Sequence, residues 1–77
     1  MKIELFLRKL EQALEIEDTK LNFDTNFKDI EEYDSFSVLS IIALIDEEFG
    51  EKISGLELNK ISTVQELIDQ IGVDHFE

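Results

Sequence analysis

The run Ser35-Phe36-Ser37-Val38-Leu39-Ser40-Ile41-Ile42-Ala43-Leu44-Ile45-Asp46-Glu47-Glu48-Phe49-Gly50 decides the fold. Val38, Ile41, Ile42, Ile45 and Phe49 recur at intervals of three and four residues, the period of one face of an α-helix. This spacing predicts a helix over residues 35–49 whose apolar face forms the centre of a core. Gly50 is its stop, because glycine enters the left-handed C-terminal conformation without a Cβ penalty. The opposite side collects Phe36, Ser40, Ala43, Leu44 and Glu47, with Ser37 on its border.

Upstream, Ile3, Phe6, Leu7, Leu10 and Leu14 form a second helical stripe, with Glu4, Arg8, Glu11 and Glu15 on the other side and Leu5 off the stripe. A helix over residues 2–16 follows. Residues 17–34 are polar apart from Leu21, Phe23, Phe27, Ile30 and Tyr33, and 18 residues is long for a structureless connection in a compact domain. Leu21, Phe23, Phe27 and Ile30 are therefore expected to anchor a loop packed across the bundle, with a helical turn of its own.

Downstream, residues 55–60 offer only Leu56 and Leu58, enough for a turn or two of helix. Thr63-Val64-Gln65-Glu66 has the spacing of a capping box. It opens a stripe of Val64, Leu67, Ile68 and Ile71 that stops at Gly72. Residues 73–77 are expected to fray. No strand pattern or internal repeat interrupts this reading. The fold class is all-α: a small, mostly antiparallel four-helix bundle of three main helices and one short one, with a long loop between helices 1 and 2. It makes a single domain over residues 1–77.

Composition narrows the function. Nineteen acids against seven bases give a net charge of −12, which would repel nucleic acid and anionic membrane surfaces and favours basic protein partners. With no cysteine there is no disulfide, no thiolate metal site and no thiol nucleophile. The absence also agrees with a cytoplasmic protein. The longest apolar run, residues 41–45, is far short of the roughly 20 residues of a membrane span.

Catalytic or metal-binding residues do not emerge. His75 is a lone histidine in the expected tail. The pairs Glu31-Glu32 and Asp46-Glu47-Glu48 read as solvated faces. A calcium loop starting at Asp24 fails, because Lys28, Asp29 and Ser35 stand where a ligand, a glycine and a bidentate Glu are needed. On composition alone, the chain could be an acidic helical adaptor for a basic partner or a divalent-ion module using its carboxylate clusters.

Ser35 adds a sharper reading. It joins the long loop to the most apolar helix, where Asp34 or Ser35 can cap the first turn. Asp34-Ser35-Phe36, followed by an apolar helix ending Ile45-Asp46-Glu47-Glu48-Phe49-Gly50, resembles the acyl carrier protein family. So do Asp24-Thr25-Asn26-Phe27 in the loop and Lys60-Ile61-Ser62-Thr63-Val64-Gln65-Glu66-Leu67 at the last helix. The three stretches keep their register over residues 3–71.

The resemblance implies a monomeric, non-catalytic carrier whose Ser35, preceded by Asp34, holds 4'-phosphopantetheine through a phosphodiester bond. A separate phosphopantetheinyl transferase supplies the group from coenzyme A with magnesium. A chain without cysteine can form no thioester itself, so the group must bring the thiol. A serine at a helix N-terminus also suits a phosphate, because free amides and the helix dipole favour negative charge there.

The implied partners are that transferase and acyl-activating, acyltransferase or synthase enzymes with basic patches. They would read a surface of Phe36, Ser37, Ser40, Ala43, Leu44, Glu47 and Glu48. Many fatty-acid-synthesis carriers have acids two and five residues after the modified serine, where this chain has Ser37 and Ser40. They also often have a Leu-Gly shortly before the Asp-Ser, where this chain has Glu31-Glu32-Tyr33. These departures suggest a carrier for another pathway, such as polyketide, peptide-linked or cell-surface glycan synthesis.

Overall fold

The computed structural model describes residues 1–16, 20–31 and 33–77. Residues 17–19 of the long connection, and Glu32 of the Glu31-Glu32 pair, lie outside the described residues. Among the described residues the chain forms four α-helices: α1 (Ile3–Leu14), α2 (Ser35–Phe49), α3 (Gly55–Asn59) and α4 (Val64–Ile71). Two 3-10 turns, Phe27–Asp29 and Val73–His75, and one isolated antiparallel bridge, Asn26 to Thr63, complete the order. The all-helical bundle expected from the stripes is present.

α1 ends with its apolar stripe at Leu14, two residues short of the expected bound at residue 16. Glu15 turns into the left-handed region at φ 58°, and the Ile16 amide reaches back to the Glu11 carbonyl at 3.1 Å. This closure satisfies the last carbonyls and folds Ile16 into the core rather than around the helix. α2 stops at Gly50 as expected, with φ 67° and its amide on the Asp46 carbonyl at 2.9 Å. At α4 the Thr63 hydroxyl accepts from the Glu66 amide, but the Glu66 carboxylate returns to the Ser62 amide instead of closing a reciprocal box. Reciprocal boxes occur instead at Ser54–Glu57, opening α3, and at Asp34–Ser37, opening α2.

The core joins Phe6, Leu10 and Leu14 of α1 to Ile41 and Ile45 of α2, Leu58 of α3, and Val64, Leu67, Ile68 and Ile71 of α4. α2 packs most extensively on α1, and this sets its rotation. Its most buried line is Ser37, Ile41 and Ile45, with Val38, Ile42 and Phe49 half-buried beside it. The apolar face is therefore centred one position away from the Val38–Ile42–Ile45–Phe49 line.

The long connection is anchored by Leu21 and Phe27, both buried, and by half-buried Ile30. Phe23 is exposed, so its side chain is not the anchor that the sequence suggested; its carbonyl accepts from the Gln65 amide instead. Arg8 and Glu11, read as solvent-facing, grip the same connection. The Leu21 amide donates to Glu11 Oε2 at 2.9 Å, and Arg8 pairs with that oxygen at 3.1 Å.

The tail does not fray. Phe76 lies against Phe6 and Phe49, with ring centroids 5.1 and 5.2 Å apart, and His75 sits 5.3 Å from Phe49 and 3.2 Å from the Glu51 carboxylate. Apolar ring burial over-rides the disorder that position in the chain suggested.

Two substitutions test this packing. Ile45→Ala should cost about 2–5 kcal/mol in denaturant unfolding, the range for truncating a buried aliphatic chain. Phe76→Ala should cost about 1 kcal/mol from its lost ring contacts, a fall of about 4–8 °C in Tm for a domain of this length. A frayed tail would leave Tm unchanged.

Candidate functional site

α2 begins at Ser35 because Asp34 caps it. Asp34 is extended, at φ −143° and ψ −171°, and its carbonyl already accepts the first helical bond, from the Val38 amide at 3.1 Å. Its carboxylate oxygen Oδ1 accepts from the Ser37 amide at 2.9 Å and from the Ser37 hydroxyl at 3.1 Å. The Asp34 amide in turn lies 3.3 Å from Ser37 Oγ, completing the box. The Ser37 amide bond, followed by the Ser37 hydroxyl bond, holds the Asp34 carboxyl below its ordinary pKa. A depressed carboxylate stabilises the fold above the unfolded-state value and loses that contribution as pH falls through the folded-state value. The cap is therefore intact at neutral pH and weakens only in acid.

Ser35 occupies the first helical position and is exposed. Among the described residues its hydroxyl makes no hydrogen bond, because Asp34 has taken over the capping that either residue could have performed. Ser35 and Asp34 line a shallow surface depression with Tyr33, Val38, Leu39 and Asn59. Tyr33 stacks on the buried Phe27 ring at 5.8 Å, and partial burial pushes its phenol pKa up. On α2, Leu39 of this depression and Phe36, next to Ser35, are 65% and 66% exposed, and Leu56 of α3, the helix that supplies Asn59, is 77% exposed.

The remaining residues expected on the partner surface divide into three groups. Phe36 is exposed beside Ser35, as expected. Ser40, Ala43, Leu44, Glu47 and Glu48 line one open groove with Lys9, Gln12 and Ala13 of α1. Glu47 lies about 18 Å along the helix from Ser35, twelve residues at 1.5 Å each. Ser37 is a correction: at 4% exposure it is buried, turned inward on the Ile41–Ile45 line, and is not part of a surface that a partner can read.

Leu39 and Leu56 were missed by the sequence reading. Leu39 lies next to the apolar stripe, and the side of α3 that Leu56 presents cannot be known without its packing. The carboxylates at the end of α2, read as a solvated face, are partly paired: Asp46 with Lys52 at 2.9 Å and Glu48 with Lys9.

The chemistry this site can perform is limited. A bare hydroxyl at the head of a 15-residue helix can be esterified, and a phosphate there would face the positive end of the helix dipole. The exposed apolar rim suits the methylene and methyl groups of a flexible arm. These residues fit a phosphate-linked prosthetic group on Ser35. His75, on the Phe49 ring beside Glu51, belongs to the tail packing rather than to this site.

Comparison with known proteins agrees with this geometry. The family model described as "Phosphopantetheine attachment site" matches residues 4–71. Among solved structures, the solution NMR structure of a holo acyl carrier protein from Geobacter metallireducens is similar in fold. Its TM-score is 0.71 at 24% sequence identity, over 87% of this chain and 77% of that one. No helix among the described residues is long and apolar enough to cross a membrane. With the family model spanning all four helices, the chain belongs to the phosphopantetheine-attachment family, and it is a carrier protein whose prosthetic group is phosphopantetheine.

Proposed function

We propose that Ser35 is the attachment residue and that residues 1–77 act as one non-catalytic carrier domain. It holds acyl or related intermediates as thioesters on the pantetheine arm and presents them to the enzymes of a specialised biosynthetic pathway. One observation carries this reading. Within the matched stretch, Ser35 is exposed at the head of α2 and its hydroxyl makes no hydrogen bond among the described residues, while its neighbour Asp34 does the capping.

The loading step balances with coenzyme A as donor. Ser35 Oγ attacks the phosphorus bearing the pantetheine, a P–O bond to serine forms, and the diphosphate P–O bond breaks. The adenosine bisphosphate leaves, and the serine proton passes to a base of the transferase. The free thiol then forms the thioester that a chain without cysteine cannot form.

Support for a pathway outside fatty-acid synthesis comes from the surface of α2. Residues 35–45 carry no charge, and the acids of the helix are confined to Asp46, Glu47 and Glu48 at its far end. A basic enzyme that reads acids near the attachment serine finds none on this stretch. Missing rim charges slow encounter and weaken discrimination more than they abolish binding.

Two measurements test the proposal. Incubation with coenzyme A, magnesium and a broad-specificity transferase should add one prosthetic group by intact mass, and Ser35→Ala should add none. Labelling that persists in the Ala variant would sink the assignment to Ser35. An unlabelled wild type would favour an adaptor without a prosthetic group. Ser40→Glu on holo protein should raise acyl-transfer rates with fatty-acid-pathway enzymes, with the gain shrinking at high salt. Equal rates at both salt concentrations would make residue 40 an inert surface position.

A further inference from the structure

Ser37 is the one buried polar residue among the described residues. It stands in line with Ile41 and Ile45, where an aliphatic side chain would gain more from burial. What it does instead is grip Asp34. Three contacts join the two residues: the Ser37 amide to Oδ1 at 2.9 Å, the hydroxyl to the same oxygen at 3.1 Å, and the Asp34 amide to Ser37 Oγ at 3.3 Å. Ser35 lies between them in sequence, so the peptide on each side of it is tied to one small network.

We infer that Ser37 is a positioning residue for loading: by holding Asp34 in the cap, its hydroxyl fixes the direction in which Ser35 Oγ is offered to the transferase. This rests on the reading of Ser35 as the attachment residue. Displacement of a nucleophile by about 1 Å can cost up to a hundredfold in rate, because the attacking oxygen must meet phosphorus in line with the leaving group. Without the Ser37 hydroxyl the Asp34 carboxylate is held by the Ser37 amide alone, and its second oxygen and looser rotamer can reach the neighbouring Ser35 hydroxyl, as Asp side chains do with nearby groups in turns. That bond would turn the Ser35 oxygen away from an incoming diphosphate. The hydroxyl of Ser37 thus serves the reaction without touching coenzyme A, and from a position no partner can reach.

The test compares wild type, Ser37→Ala, Ser37→Thr and Ser35→Ala as full chains. Each is loaded from coenzyme A by a broad-specificity transferase with magnesium, at a temperature where circular dichroism shows each folded. Ser37→Ala should lower kcat about tenfold and leave KM for the carrier within about twofold, since no group that meets the partner is removed. Ser37→Thr, which keeps the oxygen, should restore kcat. The Asp34 carboxyl, followed by NMR, should titrate below the ordinary carboxylate range in wild type and Thr. In Ala the retained Ser37 amide bond should still hold it below that range, but higher than in wild type because the hydroxyl bond is lost.

A folded Ser37→Ala variant with wild-type kcat would reduce Ser37 to a helix cap and overturn the inference. A rise in KM alone would make it a recognition residue and overturn it equally. If Ser37→Ala does not fold, Asp34→Ala removes the same network from its exposed side, while Asp34→Asn keeps an acceptor oxygen for the Ser37 amide and hydroxyl. A slow Ala variant with a near-normal Asn variant supports positioning, and two wild-type rates overturn it. Ser35→Ala separates the two readings. Labelling retained there defeats the attachment site itself, whereas labelling lost there with Ser37→Ala unaffected defeats only the role of Ser37.

Discussion

Phe27 carries the long connection between α1 and α2 into the core, and the connection's backbone can follow only because α4 supplies the missing partners. The Phe27 amide donates to the Ser62 carbonyl at 2.8 Å. In return the Val64 and Gln65 amides, at the open end of α4, donate to the Thr25 and Phe23 carbonyls at 3.0 Å. Each side satisfies groups that the other would otherwise leave bare, which the burial of Phe27 at 1% exposure makes necessary. From this clasp the geometry runs forward. Tyr33 stacks on Phe27, Asp34 follows Tyr33, and the Asp34–Ser37 box begins the helix at Ser35. The direction of Ser35 is thus inherited from an aromatic ring eight positions earlier in the chain.

This dependence explains which parts of the fold were legible in the sequence. The stripes of α1 and α4 and the apolar mass of α2 were plain, because a helix that buries one face must repeat its apolar residues at helical spacing. Phe27 was recognisable as an anchor because a large ring in a polar stretch has few reasons to be there. What could not be read was which element would meet each anchor. The left-handed turn at Glu15 has no glycine to announce it, and it exists because Ile16 gains burial by turning back. The docking of Phe76 depends on Phe6 and Phe49 lying side by side, a juxtaposition set by tertiary packing alone.

The candidate site divides in the same way. Asp34 and Ser35 were legible as a local motif, because capping is decided within four residues. The inward turn of Ser37 was not. Helical spacing alone puts it at the border of the exposed face, and only the packing of α2 on α1 rotates that border into the core. A serine there is compatible with burial because its amide and hydroxyl both meet Asp34. Position 37 therefore shows how a residue can depart from a family's acidic pattern without leaving a gap on the surface.

The distribution of charge completes the account of the proposed carrier. Among the described residues, Arg8, Lys9 and Lys52 are paired with Glu11, Glu48 and Asp46, so two of the three acids at the end of α2 are already partnered. Exposed pairs of this kind contribute at most about 1 kcal/mol each. Their larger consequence is spatial, since among the described residues they leave Glu47 as the acid of α2 without an ion pair, about 18 Å from Ser35. Beside the serine the exposed groups are Asp34, Phe36 and Leu39, and Asp34 is engaged in the cap. A net charge of −12 draws a basic partner in from a distance of about a Debye length. Contact at the serine then depends on apolar fit, which salt does not screen. On the proposed reading, encounter with a partner is salt-sensitive while seating at Ser35 is not, so partner choice is decided at short range by shape.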